Sequence, residues 1–523
     1  MTGGRVARWV GGVAVYLMTT TPAYGVQTTV GGRTVDLDAT LSLREVVEEN
    51  GSTTHDRTQE QLRLRAGVSL AQWLRFDSVT IGTNGGPTMK ADRSGIYNLR
   101  DVFQDVSPAA EFDEAYFDVY LPSVDLRLGK QKVAWGKLDR FQPNDFLNPL
   151  SYSDPFLLDE AERKIGVPAV QASYYLPEVA WLPAESRVTT VWVPQYVPYR
   201  FPTARCDVDH DVSRCSTERW FPPAATPPQT FTVPAGVIPL GNGMFNPPIT
   251  VPLSFRVQNE PSPSWRFENN EIGLRYSGIV RDVDTALYYY HGFDNQPAFH
   301  LGAAAVGVPD ASKPLGVDAL SGATTLTPQF RHIDAGGADA AYAVDRFTFR
   351  GEAAYISGRP FTHDLRFLIT DPSSLDQQLA RAVFQLAHGA GSVPIVLPQA
   401  FVQRDAVEWG VGGDYLYEGY LLLLQVNQTD VRHSPGNLLI KDVETRFLVN
   451  LRKSFLADTL QTQLIAGHAL ESDYTYVRPR LLYRVTDNVD AEVGYIFIAG
   501  RAQSTIGQYR RNDEGWVRLA YKL

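Results

Sequence analysis

Arginines sit at every second position along several stretches of this chain. Arg63 with Arg65, Arg446 with Arg452, and Arg478, Arg480 and Arg484 are the densest sets, and Arg127, Arg275, Arg350 and Arg518 stand in similar settings. Acids occupy the same register: Asp36, Asp38, Glu352, Glu444, Asp490 and Glu492. A guanidinium donates through a planar fork that matches carboxylates and phosphates, so a row of them can pass or hold polar and anionic solutes. The same rows can instead be ion-pair ladders between neighbouring strands. A second charged set lies in the segment 136–166, with Asp139, Arg140, Asp145, Asp154, Asp159 and Glu160. Folded inward and set against wall arginines across a narrow gap, these acids would create a transverse field selecting polar solutes. Left outside, they would belong to a surface cap.

Other chemistries find little support. The chain has no Gly-x-Ser-x-Gly, no His-Glu-x-x-His, no phosphate-binding glycine loop and no Cys-x-x-Cys. The expectation is therefore no enzyme and no cofactor. Cys206 and Cys215 flank several oxygen-bearing residues, Asp207, Asp209 and Asp211, but the glycine and terminal glutamate of a calcium loop are missing. A disulfide stapling the loop is the expectation, and no metal site. A net charge of −10 argues against nucleic acid as a partner.

The arginines need a scaffold that repeats every two residues. Leu62, Leu64, Ala66, Val68 and Leu70 alternate with Arg63, Arg65, Gly67 and Ser69. Phe447, Val449 and Leu451 alternate with Arg446, Asn450 and Arg452. Val489, Ala491, Val493, Tyr495 and Phe497 alternate with Asp490, Glu492 and Gly494. Strand side chains point alternately to opposite faces, so each segment has one apolar and one polar face. The segments run to about ten residues, the length of a tilted membrane-crossing strand, where a sandwich strand has ~5–6. A charge facing lipid would cost ~2–4 kcal/mol near the midplane, so the polar faces are assigned to a lumen.

Connections alternate in length. Short turns are expected at Pro122-Ser123, Val344-Asp345, Glu418-Gly419, Ala457-Asp458 and Asp487-Asn488, and long loops over 84–109, 136–166, 196–264, 293–327 and 358–403. That is the layout of an all-β, antiparallel, up-and-down transmembrane barrel with short periplasmic turns and long extracellular loops. The pattern predicts eighteen strands, sixteen being the nearest alternative. In the last of them Val517, Leu519, Tyr521 and Leu523 alternate to the C-terminus. A length of 523 residues suits one closed sheet better than one globular core.

Residues 1–25 read as a signal peptide, with Arg5 and Arg8, an apolar stretch from Trp9 to Met18, and Ala23-Tyr24-Gly25 before a cleavage site. The barrel then spans 26–523, in the outer membrane of a Gram-negative bacterium, with membrane lipid and solutes as partners. Within 136–166, Asp154 is expected to cap a short helix beginning at Pro155 and ending at Lys164. Within 358–403, Asp371-Pro372 should open a second helix with the apolar stripe Leu375, Leu379, Val383 and Leu386, either plugging the lumen or packing on the loop crown. The disulfide-stapled loop 196–264 reads as a cap or a partner surface.

The order Gly129-Lys130-Gln131, then Trp135-Gly136, then Asn148-Pro149 resembles porin-like outer-membrane families that carry Gly-Arg-Gln, Trp-Gly and a later Asn-Pro. The nearest is known only as a domain of unknown function, and alginate-export-type channels are more distantly similar. Lys130 stands where that pattern has arginine, and the remainder of the chain agrees in style alone. The resemblance implies a channel-like barrel and identifies no substrate. In classical porins the loop after the fifth strand constricts the pore, and 136–166 follows the fifth strand here. The reading is thus a passive or substrate-selective channel for small polar or anionic solutes. The alternative is a barrel scaffold or adhesin whose loops or lumen bind a protein.

Overall fold

The computed structural model describes residues 26–522 apart from 31, 51–52, 86–108, 153, 180, 201–203, 207–215, 218–219, 221–229, 242–243, 258–265, 364–371, 398 and 437. The segment read as a signal peptide lies outside them. So does Cys215, and with it the expected disulfide.

Eighteen strands form the barrel. The first nine are β1 (Arg33–Asn50), β2 (Thr53–Ala71), β3 (Leu74–Gly85), β4 (Ala109–Tyr120), β5 (Val124–Gln131), β6 (Val167–Tyr175), β7 (Ala184–Val193), β8 (Glu271–Val280) and β9 (Val283–Phe293). The rest are β10 (His332–Val344), β11 (Phe347–Thr362), β12 (Phe401–Tyr417), β13 (Tyr420–Val431), β14 (Val443–Phe455), β15 (Leu460–Ala469), β16 (Tyr474–Arg484), β17 (Val489–Gly500) and β18 (Glu514–Lys522). Each pairs antiparallel with its chain neighbour, and β1 pairs with β18 from Thr40↔Lys522 to Glu48↔Glu514, which closes the sheet. Closure leaves no edge unpaired, the condition for crossing hydrocarbon with strands. A short strand, Val26–Val30, folds back on the start of β1.

Alternation decides which way each residue faces. On β17, Val493 and Phe497 are about half exposed on the outer wall, while Ile496 between them is fully buried inside. Leu287, Phe349, Val411, Leu424 and Val517 share the outer surface. Exposed apolar side chains around a closed barrel make a lipid-facing surface, and the architecture is that of a membrane-spanning, antiparallel up-and-down β-barrel. The tight turns include Arg281-Asp282 and Glu418-Gly419, with positive φ at both residues, the geometry that matches strand twist.

The three longest connections, over 196–264, 293–327 and 358–403, carry strands that the sequence pattern did not reveal. They build a separate seven-stranded sheet from Ala204–Cys206, Ser216–Thr217, Thr230–Val233, Ile249–Val257, Ala298–Pro309, Val317–Gln329 and Ser392–Ile395. Against it lies a helix, Pro372–Ala387, whose Ala382, Val383 and Leu386 are buried with Val251, Val317 and Ile395. The expected apolar stripe therefore packs on the loop crown and does not plug the lumen. Pro372 opens the helix as expected, and Asp371 lies outside the described residues.

Candidate functional site, a loop folded into the barrel

The segment 132–166, here called L3, leaves the top of β5 and turns into the lumen. The motif residues make that turn. Gly129 has φ +138°, and a Cβ there would fall 2.3 Å from the Ala115 carbonyl oxygen, so only glycine fits. Gln131 is fully buried and its amide donates to the Ala169 carbonyl at 2.9 Å. Asn148 clasps the two arms of the loop, accepting from Val133 N–H at 2.6 Å and donating to the Ile165 carbonyl at 2.8 Å. Ile165 N–H donates to the Pro149 carbonyl at 2.8 Å. Trp135 packs over Gly273 and against Tyr288, ring centroids 5.4 Å apart. Gly136, at φ +85°, lies so close to the Glu352 carboxylate that a Cβ would sit 2.8 Å from it. Lys130 is buried beside Gln131.

From Gly136 the loop runs along the wall. Lys137 and Leu138 both donate their backbone N–H groups to Glu352 on β11. The Lys137 ammonium reaches Asp284 at 2.9 Å and the fully buried Asp339 at 3.2 Å. Asp139 pairs with Arg350 at 2.9 Å, which also binds Asp414. On β13, Gln425 accepts from Asp139 N–H at 3.1 Å and donates to the Arg140 carbonyl, while Asn427 donates to the Phe141 carbonyl at 3.0 Å. Arg446 lies over the Phe141 ring.

The second half crosses to the opposite wall. Asp154 takes a two-pronged bond from Arg57 on β2 at 3.0 and 3.1 Å. Leu157 is buried with Val46 of β1 and Trp516 of β18, and Phe156 with Tyr476 and Trp220. Asp159 meets Arg478 at 2.7 Å and also Arg480 and Arg140, at 3.7 and 3.8 Å. Burial works to raise the Asp159 carboxyl, but the guanidinium groups of Arg478, Arg480 and Arg140 outweigh it and hold the group below the usual carboxylate range. Asp145 is paired with Lys164 at 2.6 Å, and burial pushes its carboxyl up to about 6 despite that partner. Glu160 is placed on the short helix and lies 4.0 Å from Arg163.

That helix is shorter than expected, spanning Glu160–Arg163 with Asp159 as N-cap in place of Asp154. The reason is that Arg57 takes the Asp154 carboxylate and Phe156 is drawn into the wall cluster. Asp159 N–H then finds the Glu162 carboxylate at 3.1 Å, as in a capping box.

The wall arginines divide into two groups. Arg127 binds Asp118 at 2.7 Å, and Arg63 is 3.8 Å from Asp113. Arg478 and Arg480 are taken by L3. Among the described residues Arg65, Arg452 and Arg484 have no carboxylate within ion-pair distance, and Arg446 is held by Thr429, the Tyr474 hydroxyl and the Phe141 ring. Asp139, Asp154 and Asp159 thus meet wall arginines in contact and not across a gap, while Asp145 and Glu160 face Lys164 and Arg163 of L3 itself. Lys137, Arg57, Gln425 and Asn427 are anchors that spacing did not single out. Glu352 and Arg350 carried a signal only as inward charges.

No family model matches the chain, and no curated protein matches it significantly. Solved structures align over nearly its whole length. Pseudomonas aeruginosa OccK8 (OprE) has 10% identity and a TM-score of 0.44, over 93% of this chain and 98% of that one. Pseudomonas aeruginosa OccK2 (OpdF) in complex with glucuronate has 8% identity and a TM-score of 0.43, over 94% and 98%. Salmonella typhi OmpF in complex with daunomycin has 10% and 0.37, over 95% and 100%.

Proposed function

We propose that the protein is an outer-membrane channel for small polar and anionic solutes, with L3 as its constriction. The observation that carries this reading is the position of L3. It is anchored to β2, β9, β11, β13 and β16 from inside the barrel, through Arg57, Asp284, Glu352, Gln425 and Arg478. A loop held at so many points narrows the lumen by a fixed amount. The preference for anions rests on Arg65, Arg452 and Arg484, cations that L3 and the wall leave unneutralised and that raise the local anion concentration.

Single-channel conductance of the refolded barrel in a planar bilayer, with ion selectivity at two salt concentrations, tests this. Stable open steps with anion preference are expected, and the preference should reverse or vanish in Arg452→Glu and Arg484→Glu. A barrel that conducts only after L3 is deleted would overturn it. That result would favour a second reading, a barrel scaffold whose cap binds a protein. The observation behind the second reading is the cap itself, a folded module with Phe384 and Val396 well exposed. Loss of the partner would then abolish activity, whereas a channel conducts alone.

A further inference from the structure

Below L3, near the periplasmic turns of β4 to β7, the lumen wall holds a cavity of about 160 Å³. At about 30 Å³ per water in the liquid, that is room for about five waters, or one sugar ring. Every residue of its lining carries a polar group: Asp118, Tyr120, Asp125 and Arg127 from β4 and β5, with Gln171, Ser173, Tyr175 and Arg187 from β6 and β7.

The charges balance, two aspartates against two arginines. Arg127 and Asp118 bind each other, and Tyr175 donates its hydroxyl to Asp125 at 2.6 Å. Each carboxylate keeps lone pairs free after these bonds, because an ionised carboxylate accepts about four. The cavity also keeps free donors. The Gln171 amide makes no side-chain hydrogen bond among the described residues. Arg187 has no carboxylate within ion-pair distance there; its guanidinium lies 5.9 Å from the centre of the Tyr175 ring and is shared with that hydroxyl, which leaves part of its five-donor fork for a ligand. Both tyrosine rings, Tyr120 and Tyr175, are over 40% exposed and offer apolar faces.

Carboxylates, guanidinium groups and an amide at close range, in electrical balance and beside open aromatic faces, suit a ligand with neighbouring hydroxyls and apolar C–H faces. A net anion would gain little here, since Asp118 and Asp125 cancel the arginines. We propose that this cavity is a periplasmic-side binding site for a neutral polyhydroxylated solute of the sugar class. The unneutralised cations Arg452 and Arg484 stand on other strands, so the anion preference above and this site are separable. The inference needs only a lumen open to the periplasm.

The test is saturation-transfer NMR on the whole, detergent-solubilised barrel with galactose, and with galacturonate as its anionic counterpart. Galactose should receive saturation, with affinity falling about tenfold in Gln171→Leu and in Arg187→Met, the loss expected from one or two hydrogen bonds. Galacturonate should bind no better than galactose. Where either variant fails to fold, Tyr175→Phe removes a single hydroxyl and should weaken galactose in the same direction. No transfer to galactose on the folded wild type, or transfer unchanged by these variants, or galacturonate bound about tenfold more tightly, would each overturn the site. A barrel that binds galactose yet never conducts would keep the site and sink the channel reading instead.

Discussion

Arg478 on β16 and Asp159 on L3 meet at 2.7 Å across 319 positions of chain. Arg478 also donates to the Phe156 carbonyl at 3.0 Å, so one side chain grips the loop at two points. Asp159 is 42% exposed, which moderates the worth of the pair to about 1–3 kcal/mol. Arg478→Gln and Asp159→Asn should each loosen L3, seen as larger or noisier single-channel steps. The double variant should fall short of the sum, because both remove one contact. Strict additivity would mean that the pair does not hold the loop.

Lys137 is the partner of Asp339, whose side chain is fully buried. Lys137→Met leaves that carboxylate without its cation, at a cost of about 3–5 kcal/mol. The thermal unfolding midpoint should drop clearly. Asp339→Asn in the same chain should restore much of it, and an absence of rescue would assign the loss to packing.

Gly129 should tolerate no side chain. Gly129→Ala places a Cβ against the Ala115 carbonyl and forces alanine to φ +138°. Strain of about 1–3 kcal/mol is expected. Proteolysis within L3 should accelerate while the barrel keeps its strand circular dichroism.

Asp145 sets a pH window. Burial holds its carboxyl at about 6 in the folded loop, against an ordinary value of 3.8. A raised carboxyl pKa means the folded loop binds the proton more tightly than the unfolded chain does. Its contribution to stability is therefore fully present below about pH 4 and is lost as the pH rises through about 6. Thermal melts across that range should show this slope, and Asp145→Asn should flatten it. A melt profile identical in the two proteins would place the titration elsewhere.

All eighteen barrel strands could be read from the sequence, because lipid on one side and a lumen on the other impose a strict alternation, as at Arg63 to Leu70. The cap sheet could not. Ala298–Pro309 is rich in alanine and glycine and shows no polar–apolar period, and Ile249–Val257 pairs in parallel with Val317–Gln329 far along the chain. The segment 136–166 stood out in the sequence by its charges and by the resemblance of the motif from Gly129 to Pro149. The motif's physical role, turning the chain inward, rests on contacts such as Gln131 to Ala169 that spacing does not reveal. The lock of Glu352 on Lys137 and Leu138 was hidden for the same reason, since it joins a side chain to backbone groups over 200 positions away. The helix start moved from Asp154 to Asp159 because a cap residue can be claimed by a stronger partner, here Arg57.

L3 touches strands on both sides of the β1–β18 junction, Arg57 and Val46 on one side and Trp516 and Arg478 on the other. A loop that touches both sides of that junction ties the first and last strands together from inside, through side chains as well as through the ladder between them. The segment that narrows the lumen is thus also a brace on the seam of the cylinder.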